Sequence, residues 1–375
     1  MKKEKKIMEF FGEPLNYGGQ EAFIFNMYSR FSNKLDITFV TPFEATNDKL
    51  IKLIKKKNDT LIYDNKPFES NLRKKYILET AQKYINSNFD VVHIHSGSLF
   101  TLYSVSKVAK KKGVKKVIVH AHSTGGKNLK GKIIKFLSRD IDKFADTFIG
   151  CTEEVGFSKF SKRIVNGKNF FVVNNGIDVE KFLFNEKIRS DYRKKFNVEN
   201  KTVLINIGRF CYEKNQKFII ELFKSYVSVN KNSHLFLVGG MGEEFNNINN
   251  LINELNLGEC VTILLNRDDI NNLLFMSDVF LLPSFWEGLP VTGVEAQASG
   301  IPCIFSDKIT EKINLSKSFY KLSLDVDVDV WIKLIDRLKL KKRENNIDLI
   351  KESGFNCEKS ALFLENLYLE KGEIK

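Results

Sequence analysis

No run of about 18 apolar residues occurs anywhere in the 375-residue chain, so no transmembrane helix is expected. The start, MKKEKKIMEFFGEP, is basic. It lacks the apolar core of about 7–15 residues and the small-residue cleavage site of a secretory signal. Cysteine is sparse, at positions 151, 211, 260, 303 and 357, and no CxxC pair exists. That excludes a disulfide framework, argues against structural zinc, and fits buried thiols in a reducing cytoplasm. Internal repeats and low-complexity linkers are missing. The second half also lacks net charge. Residues 181–375 hold 27 Lys/Arg against 27 Asp/Glu, whereas residues 1–180 hold 32 against 19, so the whole excess of +13 lies in the first half. Lys55-Lys56-Lys57, Arg73-Lys74-Lys75 and Lys110-Lys111-Lys112 are examples. Two readings follow: solvated lysine-rich faces, or a surface that meets polyanions. Anionic headgroups attract such clusters at about 1 kcal/mol per basic residue. Nucleic acid would be attracted too, but no aromatic–basic motif of an RNA or DNA module accompanies the charge. No nucleic-acid partner is therefore expected.

What is present is alternation. Short apolar runs at 6–11, 36–41, 89–94, 116–121, 145–150 and 170–173 read as strands, with helical stretches at 20–32, 70–87, 99–112 and 130–143. The pattern restarts with strands at 202–207, 233–238, 260–265, 278–283 and 301–305, and helices at 215–230, 243–256, 269–276, 290–299 and 328–341. Such βαβα order predicts parallel sheets covered by helices on both faces. Two sets predict two doubly wound α/β domains, meeting near NNGIDVEKF at 174–182. Ligands in such folds bind where strands pass into helices at their C-terminal ends.

Five constellations stand at those ends. Gly18-Gly19 follows the first strand, where backbone can approach an anion, although GxGxxG is absent. His93 and His95 end one strand, and His120 and His122 end the next. Alternate residues share a strand face. Two H-x-H pairs without a carboxylate are not a standard zinc arrangement, so single histidines read as structural and at least one as lining a ligand cleft. Arg209 and Lys214 follow the strand TVLINI and offer a planar fork and a point charge to phosphate oxygens. GGMGEE at 239–244 is a second glycine-rich turn. SFWEGLPVTGVEAQASG at 284–300 places Glu287 and Glu295 around a turn that opens a helix.

PSFWEGLPVTGVEAQASGIP, with its glutamate, seven residues and second glutamate, resembles the hallmark of the large retaining glycosyltransferase family of the family 4 type. Many bacterial capsule and exopolysaccharide enzymes belong to it. GGQE, HAHS, CTEE, NNGIDVEKF, IGRFCYEKNQ, LFLVGGMG and FSDKITEKINLS extend the resemblance, in order, over most of the chain. The resemblance implies the GT-B fold, two Rossmann-like domains facing across a cleft. Residues 1–180 would bind the acceptor and 181–355 the nucleotide sugar, with 356–375 carrying a helix back to the first domain. Arg209 and Lys214 would bind the diphosphate. Glu295 would take the ribose hydroxyls, and Glu287 the donor sugar or reacting centre. Amides near Leu289, Val291 and Thr292 would hold sugar and phosphates, Gly19 would lie against the diphosphate, and His122 would stand beside the sugar, with His120 the alternative. Pro290 departs from the glycine of many members and offers no N–H; it presets the first helical turn.

Metal-dependent transferases use a DxD pair to hold a divalent ion. Such spacings occur at Asp140/Asp142, placed within a helix, and at Asp325/Asp327/Asp329, before a late helix. Neither follows a central strand. Metal independence, no metal ligands and no cofactor beyond a nucleotide-sugar substrate are therefore expected. The leading expectation is a retaining glycosyltransferase, peripheral at the inner face of the cell membrane. It would move a sugar from a UDP-sugar to a lipid-linked oligosaccharide in capsular, exopolysaccharide or cell-wall synthesis. The alternatives are the same fold glycosylating a protein or soluble acceptor, and a non-enzymatic polyanion-binding protein.

Overall fold

A computed structural model describes residues 3–16, 19–124, 129–287 and 289–370, with Gly19 and residues 129–132 described through their backbone. The chain divides into two units, Met1–Gly176 with Cys357–Lys375, and Ile177–Asn356. The divisions fall at 176/177 and 356/357 rather than at 180/181 and 355/356.

In the first unit the strands are β1 (Lys5–Phe11), β2 (Leu35–Thr41), β3 (Thr60–Tyr63), β4 (Val91–Ser96), β5 (Lys116–Ala121), β6 (Thr147–Gly150) and β7 (Phe170–Val172). They form one parallel sheet in the order β3-β2-β1-β4-β5-β6-β7. A parallel sheet is buried on both faces, and strand alternation divides the core. Met8, Phe10, Val92, Ile94, Val117 and Val119 pack under the helices Arg73–Tyr84 and Leu99–Lys111. Ile7, Phe11, Val91 and Ile118 face the other way, under the helices Gly19–Arg30 and Cys357–Leu369. Leu364, Leu367 and Tyr368 of the last helix are buried in that second layer.

The second unit contains β8 (Thr202–Ile207), β9 (Ser233–Gly239), β10 (Val261–Leu265), β11 (Val279–Leu282), β12 (Cys303–Ser306) and β13 (Phe319–Leu322). Their order is β10-β9-β8-β11-β12-β13, again parallel. Leu204, Leu235 and Val279 pack under the helices Gln216–Val229 and Val328–Leu338, with Trp331 of the latter buried in the same cluster. Val203, Phe236 and Phe280 pack under Ile270–Met276 and Val291–Ala298, with Val294 of the latter buried in the same cluster.

Each sheet begins at a central strand, runs outward, then returns to start the other side. The reversal lies between β1 and β4 in one sheet and between β8 and β11 in the other. Crevices for ligands open there, beyond the carboxyl ends of the strands. The edge strands β3 and β13 are not apparent in the sequence, because each is four residues long and none of their residues is fully buried. None of the five cysteines is in a disulfide. Among the described residues, no helix is long and apolar enough to cross a membrane.

Candidate active site

The second unit's site is built on the two strands that flank its reversal. β8 ends at Ile207, and Gly208 and Arg209 follow at once. The main chains of the β8 and β9 ends meet so closely that a Cβ on Gly239 would stand 1.9 Å from Gly208 O, and one on Gly242 would stand 2.1 Å from Phe210 O. The glycines of GGMG therefore serve close backbone packing within the protein. At the reversal the buried Asn206 side chain donates to Leu281 O at 2.8 Å, tying β8 to β11 just beyond their last paired residues.

Arg209 is exposed, and the turn Tyr212–Lys214 brings Lys214 back over Gly208. A Cβ there would lie 3.0 Å from Lys214 Cδ and Cε. Asn215, in the left-handed region at φ 54°, ends the turn and donates to Pro283 O at 3.1 Å. Phe285 N–H donates to Glu213 O at 2.9 Å, which joins this turn to the loop after β11. Lys214 Nζ and Glu287 Oε1 are thereby 2.6 Å apart, with side chains 17% and 12% exposed. Ser284 Oγ–H donates to the same carboxylate oxygen at 2.7 Å. Glu213 beside them is held below the ordinary carboxylate range, first by its own backbone N–H and the Cys211 thiol, then by the charges of Arg209 and Lys214.

The helix Val291–Ala298 starts after Pro290, which occupies the cap position just before the first turn rather than a position inside it. The first bonds into the helix come from Gly293 and Val294 to Pro290 O. The N–H groups of Val291 and Thr292 thus belong to the open first turn. Thr292 Oγ1 donates to Ile207 O at 3.2 Å, pinning that turn to the end of β8. Leu289 packs against the core; Gly288 lies outside the described residues. Glu295 sits one turn further on, and burial pushes its carboxyl up to about 7, with Lys181 pulling it back. Arg209, Lys214, Glu287, Val291 and Thr292 are thus gathered around the ends of β8 and β11, with Glu295 deeper in the same helix. The two glutamates differ in their surroundings: Glu287 is matched with a lysine, whereas Glu295 is held by burial.

An aromatic group beside this pair gives no sign in the sequence. Tyr212 stacks on Phe285 at 5.0 Å between ring centroids and stands 5.9 Å from Trp286; Tyr212 and Trp286 are more than half exposed. Residues about 70 positions apart in the sequence meet here only through the strand order.

In the first unit, Gly19 is the first residue of the helix Gly19–Arg30, and Gly18 lies outside the described residues. The four histidines share one face of the sheet, as alternation requires. His93, His95 and His120 are buried, and His122 is partly exposed. His120 is wedged between Phe23 and His93, and neither of its ring nitrogens has a hydrogen-bond partner among the described residues. Burial holds His93, His120 and His122 well below the ordinary imidazole range. His93, His95 and His120 approach one another closely enough to suggest a metal triad. Both ring nitrogens of His95 are already engaged, by Glu9 and by His122.

Sequence reasoning missed Glu9, Glu13 and Lys159. Glu13 accepts from Ser96 Oγ at 2.8 Å and from Gly97 N at 3.3 Å, while Lys159 Nζ donates to Gly97 O at 2.5 Å. Burial raises the Glu13 carboxyl and lowers Lys159 to about 8. A glutamate within the apolar run KIMEFF was the one available signal. The DxD spacings have structural explanations. Asp142 lies in the short turn Ile141–Lys143, beyond a helix that ends at Leu137 rather than 143, and pairs with Arg163. Asp327 caps the helix Val328–Leu338 by accepting from Asp329 N at 2.8 Å.

The family model described as Glycosyltransferase Family 4 matches residues 17–181, and that described as Glycosyl transferases group 1 matches residues 188–348. The chain is 29% identical to the UDP-Gal:alpha-D-GlcNAc-diphosphoundecaprenol alpha-1,3-galactosyltransferase of Escherichia coli, over 84% of this chain and 81% of that one. It is 25% identical to the N-acetyl-alpha-D-glucosaminyl L-malate synthase of Bacillus anthracis, over 84% and 82%. The fold matches that of Anabaena HepE, solved in complex with UDP and glucose, at a TM-score of 0.70 over 97% of this chain and 95% of that one, with 15% identity. Two Rossmann-like sheets, the residues gathered at the β8–β11 reversal, and two family models that together span most of the chain make it a GT-B glycosyltransferase belonging to the family 4 type.

Proposed function

We propose that the protein transfers a sugar, with retention and without a metal ion, from a UDP-sugar to a lipid-linked saccharide at an anionic membrane surface. The observation that carries the reading is the convergence of Arg209, Lys214 and Glu287 at the ends of β8 and β11. Breaking a sugar–phosphate bond builds positive charge at the anomeric carbon and negative charge on the leaving diphosphate. Preorganised cations and open helix-turn amides stabilise the second, the kind of effect that is usually largest in catalysis. Arg209, Lys214 and the first-turn amides of Val291 and Thr292 take that role, so no divalent ion is called for. Lys214 is ready for it. Its ammonium has three N–H donors, and one is spent on Glu287. Oε2 of Glu287 remains for a sugar hydroxyl, and Glu295 serves the ribose hydroxyls. Retention follows the family resemblance, and the nucleotide base follows the name of the Escherichia coli relative.

The acceptor class rests on that same name, which contains a diphosphoundecaprenol-linked sugar, and on one surface feature. The helix Leu129–Leu137 exposes Ile133, Phe136 and Leu137, each by more than half, and Arg139 lies over the Phe136 ring at 4.8 Å. Apolar side chains flanked by basic ones suit an anionic bilayer surface. The second reading, a soluble acceptor, draws on the Bacillus anthracis relative, whose name contains malate. The exposed apolar face favours the lipid.

The test is a donor-hydrolysis screen over nucleotide sugars with Glu287→Ala as control, joined to thermal-shift measurements with UDP, GDP and ADP. A UDP response with activity lost in the variant is expected. Full activity of Glu287→Ala refutes the site, and silence toward every nucleotide leaves the polyanion-binding reading. Equal sedimentation with neutral and anionic vesicles refutes the membrane assignment.

A further inference from the structure

A cavity of about 360 Å³ opens at the amino ends of β11 and β12, where Ser277, Asp278 and Pro302 lead into the strands. Lys214 and Glu287 stand at the opposite, carboxyl ends. The cavity is therefore separate from the site described above. Its wall is basic: five Lys and Arg side chains line it, three of them in the run Lys341-Lys342-Arg343, against the two acids Glu186 and Asp278. Ion pairs cancel part of that charge. Lys339 is matched with Asp336, and Lys341 with Glu344. Asp278 is shared by two guanidiniums, those of Arg189 and Arg193. Lys342 and Arg343 have no carboxylate partner among the described residues. The balance over the cavity stays positive after these pairs are made. Arg343 shows how deep the excess reaches. Its Nη1 donates to Ser299 O at 3.0 Å, and its Nη2 donates to Leu274 O at 2.8 Å and Phe275 O at 2.9 Å. Those carbonyls belong to the C-terminal ends of the helices Val291–Ala298 and Ile270–Met276. Helix ends carry only a partial negative charge, so they bond the guanidinium without matching it. Burial accordingly pulls Arg343 down to about 9, with Arg189 adding to the effect and Asp278 opposing it.

We propose that this cavity binds a small soluble phosphomonoester, with its phosphate on Arg189, Lys341 and Lys342 and its organic part against Phe184 and Pro302. Free donors are at hand. Lys342 is exposed and makes no hydrogen bond among the described residues, so its three N–H groups are open. Lys341 spends two of its three on Glu344 Oε1 and Tyr320 Oη, which leaves one. Arg189 spends three of its five on Phe275 O, Ser277 O and Asp278 Oδ1, which leaves two. Hydrogen bonds from cations to phosphate are among the strong ones. Arg343 contributes charge rather than bonds, since its Nη groups are committed to carbonyls, and a phosphate dianion supplies the counter-charge it lacks. The volume stands at the lower end of small-molecule pockets, about 300–1,000 Å³. That suits a phosphate carrying a sugar-sized body. Phe184, whose ring lies 4.5 Å from the Arg343 guanidinium, gives that body an apolar wall. The site is independent of the sugar-transfer function, and the second unit alone contains it.

The test uses the full chain and two probes, inorganic phosphate and ribose 5-phosphate, in a phosphate-free buffer. Titration calorimetry should show saturable binding of both, with ribose 5-phosphate the tighter. Equal affinities would overturn the sugar-sized body. Location is read without any variant, by lysine acetylation followed by mass spectrometry. Ribose 5-phosphate should slow the modification of Lys341 and Lys342 about fivefold or more. It should leave Lys333, exposed on the helix Val328–Leu338, as reactive as before. The double variant Lys341→Ala/Lys342→Ala then removes the open ammonium donors. It should weaken ribose 5-phosphate at least tenfold and abolish the rise in Tm that a ligand of the folded state produces. Arg209→Ala, at the other end of the sheet, should leave this binding unchanged. No binding by the wild type, equal protection of all three lysines, or undiminished affinity in the double variant overturns the proposal. So does a loss confined to Arg209→Ala, which would place the phosphate at the carboxyl end of β8. Phosphatidic-acid vesicles give the last arm. Vesicles held by the wild type and released by the double variant, with no response to either soluble probe, would make the ligand a lipid headgroup and overturn the soluble assignment.

Discussion

Glu295 offers a test in which stability and binding must move in opposite directions. Its carboxyl is pushed up from 4.5 to about 7 by burial, and no hydrogen bond among the described residues holds it. That difference weighs against the ionised form in the folded protein by about 3 kcal/mol. The unfolded chain titrates near 4.5 and the folded one near 7, so the folded state binds the proton more tightly between them. The contribution to stability is full below 4.5, falls as pH rises, and is gone above 7. Glu295→Gln carries no charge at any pH. At pH 5 it should match the wild type to within about 1 kcal/mol, and at pH 8 it should be more stable by about 3 kcal/mol. For a unit of this size each 1 kcal/mol is worth about 2–4 °C. The Tm of the second unit should therefore rise by roughly 6–12 °C at pH 8 and by far less at pH 5.

Nucleotide binding should show the reverse. Ribose hydroxyls donate better to the carboxylate than to the carboxylic acid, so the nucleotide favours the ionised form and lowers its pKa. UDP should release protons on binding near pH 7 and bind more tightly at pH 8 than at pH 6. Glu295→Gln should lose affinity about tenfold or more, since hydrogen bonds to charged groups are worth about 1.5–3 kcal/mol, together with the pH dependence. Scanning calorimetry at both pH values and titration calorimetry in two buffers of different ionisation enthalpy measure all of this. A Tm difference that is the same at pH 5 and pH 8 refutes the buried-carboxyl argument. A UDP affinity indifferent to both pH and the variant refutes the ribose assignment.

Three further outcomes are expected. Gly239→Ala puts a Cβ 1.9 Å from Gly208 O, between two backbones that cannot both yield, and should cost about 1–3 kcal/mol in denaturant unfolding; a neutral result refutes the close-approach account. Gly208→Ala meets only the flexible stem of Lys214, at 3.0 Å. It should leave Tm within a few degrees while displacing the ammonium and lowering kcat/KM about ten- to hundredfold, so unchanged turnover would separate Lys214 from the chemistry. Phe136→Asp replaces a side chain that is 64% exposed and should not unfold the protein. It should weaken sedimentation with anionic vesicles by at least tenfold, the loss of about 2 kcal/mol of apolar burial; undiminished binding would move the membrane contact elsewhere.

How far the chain could be read without coordinates follows from where each signal resides. The central strands are legible because a parallel sheet buried on both faces needs apolar runs such as TVLINI and DVFLL, and the chain supplies them in βα alternation. β3 and β13 are not, because each is only four residues long and none of those residues is fully buried. Residue types suited to phosphate could be placed after β8 from sequence alone. That Lys214 meets Glu287 could not, since 73 residues separate them and only the adjacency of β8 and β11 brings them together. The histidines show the same limit. Their shared face follows from alternation, yet their partners lie at residue 9 and residue 368, at a sequence distance over which no pattern acts.

The Lys214–Glu287 pair also changes what the two-glutamate motif means. A free Glu287 next to a diphosphate would repel it; a Glu287 matched with Lys214 and Ser284 does not present a full negative charge. Both partners are largely buried, where a pair with good geometry and a supporting hydroxyl fixes orientation more than it adds stability. Lysine is a flexible point charge, and its stem here is confined over Gly208 while its head is held by Glu287. In the function proposed above, the carboxylate acts first by aiming the cation, which leaves two ammonium protons for phosphate oxygens, and it acts on the sugar only through its remaining oxygen. On this account Glu287→Gln should harm turnover more than ground-state donor binding, because a glutamine still offers an oxygen to the sugar hydroxyl but no longer holds the ammonium where charge develops as the bond breaks.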